Sequence, residues 1–351
     1  MIEYQIYSAK DVRAWLDKDV NNGLSENIIS RTRANALAHC PCVKDDDILV
    51  VSAKDGDKVV GFTAIFPEKL KRPDRWIATG TTLWVNPDYA DEFVGYNLVQ
   101  RIWQSYPDYA VIGSEVSPAA AVIDKLLGAA ILKYERKAFV FRRSIEVHSL
   151  RNVASLLLEP FRKCRQSKAI KQVLASIPSN VRVRACETID AETYAFIQAH
   201  SGNDTFLRSR EMQNWILRYP FSVENPLMAR AKKSMQFSDQ IAKFCNRFLQ
   251  IYTDDALVGV ALLAERNSAM HVKMLYTDDA HQEAVYALIV EAMLHSGAEQ
   301  LFSLYPQLNT YLESHQVALK EYHREILFTY PKSLKSLVPF VLQGADGDMF
   351  A

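Results

Sequence analysis

The chain repeats itself, and that repeat constrains its fold more than any other feature. Arg247 to Tyr252, the turn Thr253-Asp254-Asp255-Ala256 and Leu257 to Leu262 restate an earlier hairpin, in which Ile48 to Ser52 and Lys58 to Ile65 flank Lys54-Asp55-Gly56-Asp57. Inside it, Val60-Gly61-Phe62 matches Val258-Gly259-Val260. A strand predicted from about Ile77 to Val85 returns as His271 to Tyr276, and a turn follows each. Helical periodicity runs over Glu92 to Tyr106 and again over Gln282 to His295. Ala110 to Gly113 and Gln300 to Leu304 read as short buried strands. Finally, Ala130-Ile131-Leu132-Lys133-Tyr134-Glu135-Arg136 is echoed by Ala318-Leu319-Lys320-Glu321-Tyr322-His323-Arg324, each leading into a β-rich closing segment. Spacing holds within a few residues over roughly 100 positions, which marks a duplicated domain rather than a solenoid.

Length agrees with that reading, since 351 residues exceed one ordinary core and suit two of about 150 each. The organisation predicted is an N-terminal domain over residues 1–146, a helical connector over 147–180, a C-terminal domain over 181–333 and a tail over 334–351. The start reads as helical, with Ser8 and Asp11 at capping-box spacing before Val12, Trp15 and Leu16. A second helical stretch follows from Ser25 to Leu37. In the connector, Leu150, Val153, Leu156, Leu157 and Phe161 share one face, while Lys163, Arg165, Lys168 and Lys171 read as a solvated one. Arg210 to Pro220 reads as an amphipathic helix with Trp215 inward, ended by the proline.

Charge narrows the partners. With 41 Lys+Arg against 41 Asp+Glu, no global field draws the chain to phosphate backbones or anionic lipid, so neither nucleic acid nor membrane is expected. The first residues lack a basic start and an apolar stretch, and no apolar run approaches the ~18 residues of a span, which predicts a cytoplasmic protein. Five scattered cysteines suit reduced thiols. His39-Cys40-Pro41-Cys42 lacks the second ligand pair that zinc needs, so no metal site is expected.

Each copy runs helix, helix, hairpin, long strand, turn, helix, strand, helix, strand, an order met by a mixed, largely antiparallel central sheet flanked by helices, of α/β class. In this order, and in Val85-Asn86-Pro87-Asp88-Tyr89 as a strand-ending turn, the chain resembles a tandem GNAT-like acyl-CoA N-acyltransferase, over roughly residues 1 to 143 and 181 to 331. The family's phosphate-binding loop is degenerate here. Ala90-Asp91-Glu92-Phe93-Val94-Gly95 keeps only its last glycine, and His281-Gln282-Glu283-Ala284-Val285-Tyr286 has none. At the position of the family's thiolate-protonating tyrosine stand Asp124 in the first copy and Leu312, beside Tyr311, in the second.

The resemblance implies transfer of an acyl group from acetyl-CoA or another acyl-CoA to a small-molecule amine or amino-sugar acceptor, with the cleft in the N-terminal domain. Strand edge Leu83-Trp84-Val85 would pair with the pantetheine arm and helix start Val94-Gly95-Tyr96 would face the phosphates. Glu115 would be the base, with Asp124 an acid or substrate anchor and Tyr134 or Tyr89 a proton donor. His271 and Tyr305 hold the corresponding strands of the second copy. Two other readings stand beside this one: an inactive GNAT-fold binding or structural module, and a Fem-like aminoacyl transferase.

Overall fold

The computed structural model describes residues 1–18, 22–142, 151–202, 204–230 and 239–346, with side chains at all of these but 151–159, 229 and 230. Strand β1 (Ile2–Ser8) precedes helices α1 (Ala9–Lys18) and α2 (Arg31–Ala38). Strands β2 (Ile48–Asp55), β3 (Lys58–Arg72) and β4 (Asp74–Val85) lead to α3 (Val94–Gln104), β5 (Ala110–Ser114), α4 (Pro118–Leu126) and β6 (Ala129–Val140). Then come α5 (Arg151–Ala175), β7 (Val181–Cys186), α6 (Ala191–His200), β8 (Leu207–Arg208), α7 (Arg210–Arg218), β9 (Val223–Glu224) and β10 (Gln240–Ile241). The second run is β11 (Phe244–Thr253), β12 (Ala256–Arg266), β13 (Ala269–Thr277), α8 (Gln282–Ser296), β14 (Gln300–Ser303), α9 (Pro306–Ser314) and β15 (Lys320–Pro331).

The local signals act as their chemistry dictates. Asp11 accepts from both the backbone N–H and the hydroxyl of Ser8, at 2.9 and 2.7 Å, so the capping box forms. The start is nevertheless not wholly helical. Ile2–Ser8 is a strand antiparallel to β2, because its alternating residues suit a sheet edge and the cap only marks where the strand stops. The stretch from Ser25 also begins as a turn, and α2 starts only where the Ser30 hydroxyl accepts from Arg33 N–H. Of the connector's apolar face, Leu150 and the side chains of Val153, Leu156 and Leu157 lie outside the described residues, and Phe161 is exposed.

The chain forms two compact units. The first comprises Met1–Tyr134, Asn203–Ala242 and Glu325–Ala351; the second comprises Glu135–Gly202 and Lys243–Arg324. In the first, β1 to β4 form an antiparallel run, β5 lies parallel to β4, and Phe328 and Thr329 of β15 pair with Ser114 and Gly113. In the second, β7, β11, β12 and β13 run antiparallel, β14 lies parallel to β13, and residues 137 to 140 of β6 pair with β14. Each sheet is thus closed by the last strand of the other copy's sequence. Among the described residues, no helix is long and apolar enough to cross a membrane.

Repeated glycines have a packing cause. A Cβ on Gly61 would stand 2.9 Å from Leu98 Cδ1 of α3, and one on Gly259 would stand 2.7 Å from Val285 Cγ2 of α8. In both units the helix's side chains stand so close to the hairpin that any Cβ there would force them to shift. On the opposite face of the first sheet, Trp215 and Phe221 pack on Phe66 and the Trp215 indole donates to Ala36 O at 2.8 Å.

Candidate functional site

The site begins with an irregularity in β4. Ala64 pairs with Thr82 and Ile65 with Gly80, so Thr81 is an extra residue, a β-bulge. Just there the sheet divides. Pairing between β4 and β5 runs from Ile77–Ala110 to Gly80–Gly113 and stops, while β5 turns its other edge to β15. From Thr81 to Val85, β4 has no strand partner on its β5 side among the described residues.

The two sides of β4 differ. Leu83 and Val85 pack with Val94, Leu98 and Val60 beneath α3. Thr82 and Trp84 line a cavity of about 760 Å³, whose walls include Phe62, Ile28, Ile29, Arg33 and Asp239. Arg33 fixes the bulge: Nη1 donates to Thr81 Oγ1 at 2.6 Å and to Thr81 O at 3.3 Å. Its Nη2 donates to Asp239 Oδ1 at 3.1 Å, and its guanidinium lies 4.5 Å from the Phe221 ring centre. The second Asp239 oxygen accepts from the Ser30 hydroxyl. Both members of this ion pair are buried, so each needs the other.

On the α3 side, α4 brings a carboxyl to the place where β4 and β5 stop pairing. Asp124 Oδ2 accepts from the Thr329 hydroxyl at 2.7 Å, and Asp124 is only 7% exposed. Burial pushes its pKa up from 3.8 to about 6, with the Thr329 hydrogen bond opposing that rise. Gly113 makes the approach possible, because a Cβ there would sit 2.6 Å from Thr329 Oγ1 and 3.4 Å from Asp124 Oδ2. A buried carboxyl titrating near neutrality beside an opened strand pair can exchange a proton with a ligand there.

The other residues named from the sequence fall as follows. Gly95 is buried, and its missing Cβ leaves room for Ile123 Cδ1 at 2.8 Å, so it serves the contact between α3 and α4. Val94 is fully buried and Tyr96 half-buried. Among the described residues no side chain caps α3, whose start is set by Phe93 in a left-handed conformation (φ 57°), and Phe93 is 70% exposed. Glu115 follows β5, exposed and left-handed at φ 52°. Tyr134 donates to Phe340 O at 3.2 Å, packs edge-on against Phe328, and is pushed up in pKa by burial. Tyr89 is held by Asp55 at 3.0 Å. Cys40, buried, points to Pro67 O and to Met212. Sequence reasoning did not find Arg33, Asp239, Thr82 or Phe62. Arg33 and Asp239 stand 206 positions apart, with no local pattern to link them.

The second unit keeps the geometry with other side chains. Leu262 pairs with Met274 and Leu263 with Val272, so Lys273 is its bulge residue, and pairing with β14 stops at His271–Phe302. His271 stacks on Phe302 with ring centres 4.8 Å apart, and burial, aided by Lys273 and Arg136, drives its pKa down and keeps it neutral. At the start of α8, Asp278 accepts from His281 N–H at 2.8 Å, which sets the protein's own carboxylate beside the helix end that would draw an anion.

No protein-family model matches the chain, and no curated protein matches it in sequence. Solved structures match it in fold. A tandem GNAT protein from the clavulanic acid biosynthesis pathway is 13% identical, with 94% of this chain and 98% of that one covered and a TM-score of 0.52. GCN5-related N-acetyltransferases from Kribbella flavida and Anabaena variabilis are 16% and 10% identical. Each matches over 94% of this chain, covering 70% and 72% of theirs, at a TM-score of 0.50. The chain has a GNAT-like fold of mixed α/β class, and one of its matches is a tandem GNAT protein.

Proposed function

We propose that the first unit is an N-acyltransferase that moves an acyl group from acetyl-CoA or a longer acyl-CoA to an amine. The observation that carries this reading is the parting of β4 and β5 beyond Gly80 and Gly113, with buried Asp124 at its foot and a lined cavity beside Trp84.

The residues present fit an acyl-CoA. From Thr81 to Val85 the strand edge is not paired to β5, and the start of α3 at Val94 has no side-chain cap to displace. Exposed Asp91 and Glu92 oppose an anion there, each by about 0.3–1 kcal/mol, a cost that solvent screening lessens. When bound, the group supplies an acyl thioester. The protein's own part is to orient and to handle protons. Thr329 occupies Asp124 Oδ2, which leaves Oδ1 to carry the proton given to the departing sulfur. Glu115 is the acceptor for the proton leaving the ammonium. Arg33 keeps the bulge at Thr81 in place, and Trp84 and Thr82 seat the acceptor.

The test is calorimetric titration with acetyl-CoA and longer acyl-CoAs, comparing wild type with Phe93→Asp. That position is exposed and left-handed, a conformation aspartate tolerates, so the change places a carboxylate at the uncapped helix start without disturbing the core. Micromolar binding lost in the variant supports the reading. No binding at millimolar ligand sinks it.

A further inference from the structure

The cavity beside Trp84 carries chemistry of its own. Its lining includes three carboxylates, Glu26, Asp57 and Asp239, against two cations, Arg33 and Lys58. Both cations are engaged. Arg33 is held by Asp239 and Thr81, while Lys58 Nζ lies 3.9 Å from Asp88 and 5.0 Å from the Tyr89 ring centre. Glu26 and Asp57, in contrast, are exposed and make no ion pair or side-chain hydrogen bond among the described residues. An anionic ligand would have to take Arg33 from buried Asp239 or share exposed Lys58 with Asp88, whereas a cation meets two carboxylates that make no pair among the described residues.

The wall is aromatic. Phe62 and Trp84 lie with ring centres 5.6 Å apart and planes inclined by 31°; Phe62 is buried and Trp84 partly open. Such a surface stacks on flat groups and attracts cations to its faces. One polar atom also waits in it. Thr82 Oγ1 is buried without a hydrogen-bond partner among the described residues, although Thr82 lines the cavity and is 8% exposed. Buried hydroxyls are nearly always satisfied, so a ligand group that bonds Thr82 would remove a standing penalty.

We infer that this cavity takes a primary amine carried on a flat aromatic ring, bound as its ammonium, and discriminates against acceptors that bear a carboxylate or phosphate. The inference rests on the reading of the cavity as the acceptor side of an N-acyltransferase. The aromatic carrier stacks on Trp84 and Phe62, and the ammonium is drawn in by Glu26 and Asp57. Thr82 bonds a polar atom of the ligand.

Binding and transfer are measured separately on the full chain. Without acyl-CoA, calorimetry compares 2-phenylethylamine, the matched anion 3-phenylpropionate and the non-aromatic hexylamine. The amine on the ring should bind at least tenfold tighter than either analogue. Trp84→Leu should weaken it about tenfold, Trp84→Phe should leave it nearly unchanged, and Glu26→Gln with Asp57→Asn should weaken it several-fold and flatten its dependence on salt. Comparable binding of 3-phenylpropionate or hexylamine overturns the inference, as does a folded Trp84→Leu variant with wild-type affinity. Should Trp84→Leu not fold, Trp84→Phe and the carboxylate pair decide. Thiol release from acetyl-CoA then separates the two readings. Tight amine binding without release refutes the transfer and leaves the site standing, while release with an amino sugar but not with 2-phenylethylamine refutes the acceptor class alone.

Discussion

Replacing Asp124 by asparagine should make the protein more stable and less active, and the structure sets the size of the first effect. The carboxyl is 7% exposed, and burial lifts its pKa from 3.8 to about 6. At about 1.4 kcal/mol per pH unit, that gap corresponds to about 3 kcal/mol. The folded pKa is the higher one, so the folded chain holds this proton more tightly than the unfolded chain. Its stabilising contribution is present below about pH 4 and is lost as pH rises through about 6. Asparagine is neutral at every pH and still offers Thr329 an acceptor. Asp124→Asn should therefore match wild type near pH 4 and exceed it by up to about 3 kcal/mol at pH 7 to 8. Urea unfolding of both proteins from pH 4 to 8 measures this directly. A stability difference that stays constant over that range would refute the reasoning, because it would mean that Asp124 is solvated in the folded state. In the same samples, acyl transfer by the variant should fall by about 10²-fold or more if Asp124 gives up the proton.

Three further outcomes follow from packing. Arg33→Leu leaves Asp239 buried without its cation and frees the bulge at Thr81; it should cost about 3–5 kcal/mol in urea unfolding, and an effect below about 1 kcal/mol would contradict the buried pair. Gly61→Ala and Gly259→Ala each force a methyl against α3 or α8, for about 1–3 kcal/mol of lost stability apiece, read by thermal melting. Phe93→Gly removes a left-handed strain and an exposed ring, and should raise stability by about 1 kcal/mol; a drop instead would mean that the ring has a packing role.

Much of the architecture is legible in the sequence because it rests on near neighbours. The hairpin around Gly56 and its echo at Asp254–Asp255, the helices after Pro87 and after Asp278, and the cap at Ser8 depend on residues a few positions apart. Asp124 could be singled out because the resemblance sets it where the family has a tyrosine, on the helix that Ser117 caps. What it does could not be read there, since its acidity is set by burial and by Thr329, 205 positions away. Likewise Gly95 reads as a phosphate-loop residue in one dimension, while its neighbours in space are Ile123 and Val85. The opening strand escaped for a related reason: Ile2–Ser8 becomes a strand only because β2 offers it an edge.

The sequence by itself pointed to a repeated unit and to most of its elements, the hairpins and the helices that follow them. These are consequences of period, turn chemistry and local sterics, all of which act over short stretches of chain. Only the tertiary structure decided which sheet each closing strand joins, since β6 and β15 carry echoing sequences and local pattern does not choose between β5 and β14. It alone brought Asp239 to Arg33 and lined a cavity beside Trp84. Burial, ion pairing and the pKa of a carboxyl are properties of what surrounds a residue in space, and no stretch of sequence contains its own surroundings.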